Sequence, residues 1–178
     1  MSLTQDLKKF FGFDNFREAQ EKIIKGAIKK YDQLVILPTG SGKSICYQLP
    51  GLIENGYTII ISPLMSLIKD QIYNLESKGI KAVGIFSGTT NKQKTDIYSK
   101  IFQNSSDFKL IYTTPESIDS NITFISCIVH MIENNQLNRF VIDEAHCISL
   151  WGNDFRGSYR KLSELKSNFP KIPIMALT

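Results

Sequence analysis

Short apolar runs punctuate this chain at intervals, and amphipathic stretches separate them. The runs at 34–37, 57–61, 82–86, 110–112, 140–142 and 174–177 are rich in Ile, Val, Leu and Tyr and end at turn residues. Runs of this length read as buried strands of a parallel sheet, where both faces are covered. Between them, apolar residues recur at helical spacing. Leu67, Ile68, Ile72 and Leu75 mark an inward face over 65–78, and Ile97, Ile101 and Phe102 mark one over 91–103. Further helices are predicted over 125–134 and 159–169, and a short one from Ile45 that stops near Pro50-Gly51. Strand alternating with helix predicts an α/β fold: a doubly wound, mostly parallel sheet with helices on both faces and right-handed crossovers.

At 178 residues, 42% of them hydrophobic, the chain is long enough for one domain with a substantial core. No apolar run approaches the roughly 18 residues of a membrane span, and the first six residues lack a signal-peptide pattern. Cys46, Cys127 and Cys147 are odd in number and not spaced as a metal motif. That argues against a disulfide framework or zinc site and for a reducing compartment. The net charge of +4 is compatible with a polyanionic partner. The lysines at 22, 25, 29 and 30, and at 92, 94 and 100, read as solvated helix faces.

Chemistry concentrates where two strands end. After Leu34-Val35-Ile36-Leu37 comes Pro38-Thr39-Gly40-Ser41-Gly42-Lys43-Ser44. After Phe140-Val141-Ile142 comes Asp143-Glu144-Ala145-His146. Open α/β sheets bind ligands at the carboxyl ends of their strands, so this placement predicts a nucleoside triphosphate site. Gly40 and Gly42 let the backbone wrap phosphates and aim N–H groups at them. Lys43 reaches the β and γ phosphates, and Ser44 offers a hydroxyl to Mg²⁺ at the start of a helix. Asp143 would hold the same metal, and Glu144 would orient or deprotonate the attacking water. Leu37 stands where the usual fingerprint begins with Gly.

From Phe11 to Thr178 the chain resembles the first RecA-like domain of RecQ-family DNA helicases, within the second helicase superfamily. Phe11-Gly12-Phe13 and Phe16-Arg17-Glu18-Ala19-Gln20 resemble the family's adenine-reading motif, which occupies the region 1–30. The resemblance implies that Gln20 hydrogen-bonds the adenine edge while Phe13 and Arg17 sandwich the ring. Such contacts are physically sound for an amide, an aromatic face and a guanidinium. Residues 37–48 resemble the first helicase motif, with Thr39, Gly40, Ser41 and Gly42 around the phosphates and Ser41 where the family most often has Gly.

Residues 61–71 and Tyr112-Thr113-Thr114-Pro115-Glu116 resemble motifs bordering the nucleic-acid track. Ser62, Pro63, Thr113 and Thr114 are the implied contacts, and contacts of this kind go to phosphate and carry no base information. The stretch from Cys147 to Arg156 resembles the aromatic-rich loop that sets RecQ helicases apart and couples single-stranded DNA to ATP hydrolysis. In it Trp151 and Phe155 are stacking faces and Arg156 a cation. Leu150 and Asn153 depart from the family's polar residue and His, which implies weaker DNA stimulation. His146 would link the γ-phosphate site to the neighbouring domain or the loop. Met175-Ala176-Leu177-Thr178 resembles the start of the next motif.

By resemblance, the parent is an ATP- and Mg²⁺-dependent 3′-to-5′ DNA helicase of recombination and repair. It would act on single-stranded or partially duplex DNA, with no membrane association. Residues 1–178 would be its ATP-binding domain. The second RecA-like domain and its arginine finger would lie in chain beyond Thr178, so residues 1–178 alone would bind nucleotide weakly and not unwind DNA. Residues 114–143 and 159–178 resemble Bloom- and Werner-type members, implying a nuclear protein; a prokaryotic or viral source would make it cytoplasmic. Two other classes stay open: an RNA helicase sharing the Asp-Glu-Ala-His motif, and a non-catalytic scaffold that keeps only the fold.

Overall fold

In the computed structural model, residues 2–147, 162 and 164–178 are described. Among them, six strands form one sheet in the order β1-β6-β5-β2-β4-β3, with every neighbouring pair parallel. The strands are β1 (Gln33–Val35), β2 (Tyr57–Ile61), β3 (Ala82–Ile85), β4 (Leu110–Thr113), β5 (Leu137–Ile142) and β6 (Ile174–Leu177). The helices in chain order are α1 (Leu3–Phe11), α2 (Gln20–Ile28), α3 (Ile45–Ile53), α4 (Met65–Glu76), α5 (Asn91–Phe102), α6 (Pro115–Ser120), α7 (Ile122–Glu133) and α8 (Leu165–Asn168).

Alternation along each strand divides the core between the two faces of the sheet. Ile59, Ile61, Ile111, Phe140 and Ile142 join Ile97 and Ile101 of α5 and Phe124, Cys127, Ile128 and Met131 of α7. Ile60, Tyr112, Val141 and Met175 join Cys46, Tyr47 and Leu52 of α3 and Ile68 and Leu75 of α4. A strand such as Tyr57–Ile61 is therefore buried at every position, as its uninterrupted apolar run predicts. A third, smaller cluster of Leu7, Ile24 and Leu49 ties α1 and α2 to α3. The N-terminal segment is thus fixed beside the phosphate loop.

Three expectations need correction. The predicted strand at 34–37 is short and lies at the sheet edge, so Leu34 and Ile36 are exposed rather than buried. The helix from Ile45 runs through Pro50 to Ile53. Proline removes one backbone donor, yet the helix continues and buries Leu49 and Leu52. Phe102, expected inward, is exposed at the end of α5 with its ring edge-on to His130 at 5.1 Å. The helix predicted over 159–169 lies partly outside the described residues, which show helix α8 within that range. Cys46, Cys127 and Cys147 are free and buried, and burial pushes the Cys46 thiol up to about 11 and that of Cys127 to about 12. Among the described residues, no helix is long and apolar enough to cross a membrane.

Candidate functional site

Three adjacent strands, β1, β6 and β5, deliver their C-terminal ends to one edge of the sheet. The phosphate loop leaves β1, Thr178 follows β6, and Asp143 follows β5. Backbone hydrogen bonds continue past the strand ends and lock these segments together. Thr178 N donates to Val35 O at 2.9 Å, and Leu37 N donates to Thr178 O at 3.0 Å. Ala145 N donates to Leu177 O at 2.8 Å and Asp143 N to Ile61 O at 2.9 Å. The separation of about a hundred residues between the two motifs is thereby closed by sheet order alone.

The loop has the conformation its glycines predict. Gly40 and Gly42 lie at φ +78° and +81°, the left-handed region that favours glycine. Two residues of the N-terminal segment clamp it. Gln20, only 2% exposed, donates from Nε2 to Ser41 O at 3.3 Å and Gly42 O at 3.1 Å. Its Oε1 accepts from Arg17 N at 2.8 Å, and Arg17 Nη1 donates to Gly40 O at 2.5 Å. Phe13 is exposed at 47%. Gln20 and Arg17 thus meet the loop directly, and Phe13 remains open on the surface. Lys43 and Ser44 are half-buried at the start of α3, and the Ser44 side chain makes no capping bond there.

Across the site, Asp143 Oδ1 accepts from Glu144 N at 3.0 Å. Burial and, after it, the neighbouring Glu144 charge push the Asp143 carboxyl above its ordinary range, while Lys43 pulls the other way. A half-buried carboxylate held against like charge, with the Lys43 ammonium in reach, suits a cation. Among the described residues no group of three or more acidic, His or Cys side chains is arranged to hold a metal ion by itself. A cation here would be held in the manner of Mg²⁺, by one carboxylate, one hydroxyl and phosphate oxygens. Glu144 sits at φ +53°, costly for a residue with a side chain. His146 Nδ1 lies 3.0 Å from Thr178 Oγ1 and 3.4 Å from Glu144 Oε2. Thr178, read from sequence only as the start of a motif, is therefore a partner of the acidic segment.

A second region opens beyond β2 and β4. Pro63, Leu64, Met65, Ser87, Lys94 and Thr114 line part of a groove of about 510 Å³. Of the seven residues expected to contact nucleic acid, Pro63 and Thr114 reach this groove. Ser62 is 3% exposed, and Thr113 is fully buried with its hydroxyl donating to Ile85 O at 2.7 Å. Ser87 and Lys94 were not singled out in the sequence as contacts, because nothing in their spacing ties them to the motifs. Trp151, Phe155 and Arg156, with Leu150 and Asn153, lie outside the described residues.

Residues 17–178 match the model of DEAD/DEAH box helicases. The chain belongs to this family. It is 44% identical over 172 residues to the ATP-dependent DNA helicase RecQ of Haemophilus influenzae, covering 97% of this chain and 27% of that protein. It is equally, 44%, identical over 170 residues to the RecQ-like DNA helicase BLM of Xenopus laevis, covering 96% and 12%. Its homologues are thus RecQ helicases of bacteria and animals alike, and the chain spans about a quarter or less of their length. Among solved structures, the DUF1998 helicase MrfA bound to DNA and AMPPNP superposes with a TM-score of 0.74 at 22% identity, covering 99% of this chain and 25% of that one. The helicase fold is shared along with the family.

Proposed function

We propose that residues 1–178 are the ATP-binding motor domain of a RecQ-type DNA helicase that couples ATP hydrolysis to strand separation in recombination and repair. The observation that carries this reading is the lateral locking of phosphate loop, Thr178 and acidic segment on three adjacent strands, with Gln20 and Arg17 clamped onto the loop. Thr39, Gly40, Ser41 and Gly42 would wrap the phosphates, with Lys43 reaching β and γ. Ser44 and Asp143 would hold Mg²⁺, which supplies charge neutralisation along the phosphates. Glu144 would orient the attacking water. His146, paired with Thr178, would pass the state of that site to the neighbouring domain.

In the adenine-reading segment, 1–30, Phe13 and Arg17 supply stacking faces and Gln20 the amide. Reading the base requires the Gln20 amide to share or exchange its bonds to Ser41 and Gly42. Single-stranded or partly duplex DNA would run along the groove of Pro63 and Thr114, supported from beneath by Ser62 and Thr113, with Trp151, Phe155 and Arg156 as further contacts. A second RecA-like domain would close over the nucleotide. In a eukaryote the place of work would be the nucleus.

The test is ATP hydrolysis by the full-length protein with added DNA or RNA. Stimulation by single-stranded DNA and loss of turnover in Glu144→Gln are the expected results. Equal or greater stimulation by RNA would select an RNA helicase instead, and turnover that survives Glu144→Gln would remove Glu144 from the chemistry.

A further inference from the structure

Three motifs that the sequence separates meet in the core through polar side chains. Tyr47, on the first turn of α3, is fully buried, and its hydroxyl has no partner at hydrogen-bonding geometry. The groups within electrostatic reach of that hydroxyl are the Tyr112 hydroxyl and the Asp143 carboxylate. Tyr112, on β4, is itself 1% exposed, and its hydroxyl accepts from Gln48 Nε2 at 3.0 Å. The same amide donates its second hydrogen to Gln71 Oε1 of α4 at 2.9 Å. Helix α4 starts at the groove, at Met65, and β4 runs out into Thr113 and Thr114. The series Asp143, Tyr47, Tyr112, Gln48, Gln71 therefore spans from the nucleotide side of the sheet edge to both elements that border the groove.

A buried hydroxyl without a partner costs roughly 1–3 kcal/mol, and phenylalanine would fill the same space without that cost. Retaining the hydroxyl makes sense where a second arrangement gives it a bond. The side chains flanking Tyr47 supply two: it can donate to Asp143, or to Tyr112, whose own proton can be offered in return. These two arrangements form a two-state element, the physical requirement for coupling between sites.

We propose that Tyr47 is a positioning residue whose hydroxyl switches between Asp143 and Tyr112, so that occupancy of the nucleotide site and of the nucleic-acid groove bias one another. The inference rests on the assignment of those two sites made above. When Asp143 is engaged by a bound cation, the Tyr47 hydroxyl turns to Tyr112. The change passes through Gln48 to Gln71 and shifts the start of α4 at the groove.

The experiment measures binding rather than turnover. For the full-length protein, the affinity of a labelled oligo-dT is determined with and without a non-hydrolysable ATP analogue and Mg²⁺. The ratio of the two affinities is the coupling, which in allosteric proteins is about five-fold or more. Tyr47→Phe and Tyr112→Phe are each expected to bind the analogue and the oligonucleotide separately within about two-fold of wild type, while the ratio collapses toward one. The double variant should lose no more than either single one, because both interrupt the same series. A wild-type ratio in Tyr47→Phe and Tyr112→Phe would overturn the proposal and leave the two sites intact. A ratio of one in the wild-type protein would overturn it as well. Failure of the wild-type protein to bind the analogue at all would instead remove the nucleotide site itself, and the proposal with it.

Discussion

The side-chain amide of Gln20 donates to the backbone carbonyl of Gly42 at 3.1 Å, joining the entry of α2 to the centre of the phosphate loop. The same amide donates to Ser41 O and accepts from Arg17 N, so one buried side chain holds the loop through two bonds and is itself held by a third. The contact is close enough that a Cβ on Gly42 would lie 2.6 Å from Gln20 Nε2. Gln20→Ala leaves two loop carbonyls and the Arg17 N–H without these partners, a loss of about 1–3 kcal/mol. Urea unfolding should register that loss, and nucleotide affinity should fall further than stability alone explains. Unchanged nucleotide binding in Gln20→Ala would separate the clamp from ligand recognition.

Asp143 illustrates a site held ready at the expense of the fold. Its carboxyl is pushed above the ordinary range by burial first and by Glu144 second, so the ionised form is disfavoured in the folded chain. Asp143→Asn removes the charge while keeping an oxygen that can accept from Glu144 N. The ligand-free variant is expected to melt at or above the wild-type temperature, while Mg²⁺-dependent nucleotide affinity and ATP hydrolysis are lost. A variant that melts several degrees lower would mean that the carboxylate stabilises the fold, contrary to this account.

At the opposite end of the sheet, a buried charge depends on its partner. Arg139, 1% exposed on β5, donates to the Glu54 carboxylate and, at 3.0 Å, to Ala27 O. Lys30 Nζ donates to the other Glu54 oxygen at 2.7 Å and to Asn138 Oδ1 at 2.9 Å. Glu54→Ala would leave the Arg139 guanidinium buried without its counter-charge, a loss of about 3–5 kcal/mol. The exposed pair Lys8–Asp14 gives the contrast, because solvent screens both groups and Asp14→Ala should leave the melting temperature unchanged. Thermal unfolding of both variants under the same conditions tests the difference. Equal effects would mean that burial does not set the strength of these pairs.

How much of this was legible before the structure depends on how local the signal was. The strands at 57–61 and 174–177 appear where their apolar runs lie, because a run bounded by turn residues needs no distant information. The convergence of the phosphate loop and the acidic motif followed from both sitting at the ends of parallel strands. Helix α1 went unread although Ser2 and Gln5 form a reciprocal capping box, a signal present in the sequence as Ser-x-x-Gln. Helix α2 offers no such signal, since it begins at Ala19 in the left-handed region without a side-chain cap. That β1 lies at the edge, that Glu54 meets Arg139, and that Gln48 meets Tyr112 and Gln71 are facts of strand order and packing. They join residues between about 23 and 85 positions apart, beyond any local pattern.

Asp32 gives the fold a dependence on acid. Its Oδ1 accepts from Lys166 Nζ at 2.9 Å and from Ile174 N at 2.8 Å, pinning the start of β6 and helix α8 beside β1. The Lys166 hydrogen bond first, and the Ile174 amide second, hold its carboxyl below the ordinary value of 3.8. A carboxylate with a lowered folded-state value stabilises the protein at pH above its unfolded value. That stability is lost as pH falls through the lower folded value. Asp32→Asn can still accept from Ile174 N but carries no charge for Lys166. The variant is therefore expected to melt below wild type at pH 7, with the difference shrinking once the pH drops under about 4. Because the pair is exposed, high salt should shrink the difference in the same direction. Melting curves of both proteins at neutral and acid pH, with and without added salt, test this. A gap that persists in acid would assign the effect of the substitution to packing at the β6 start rather than to the charge.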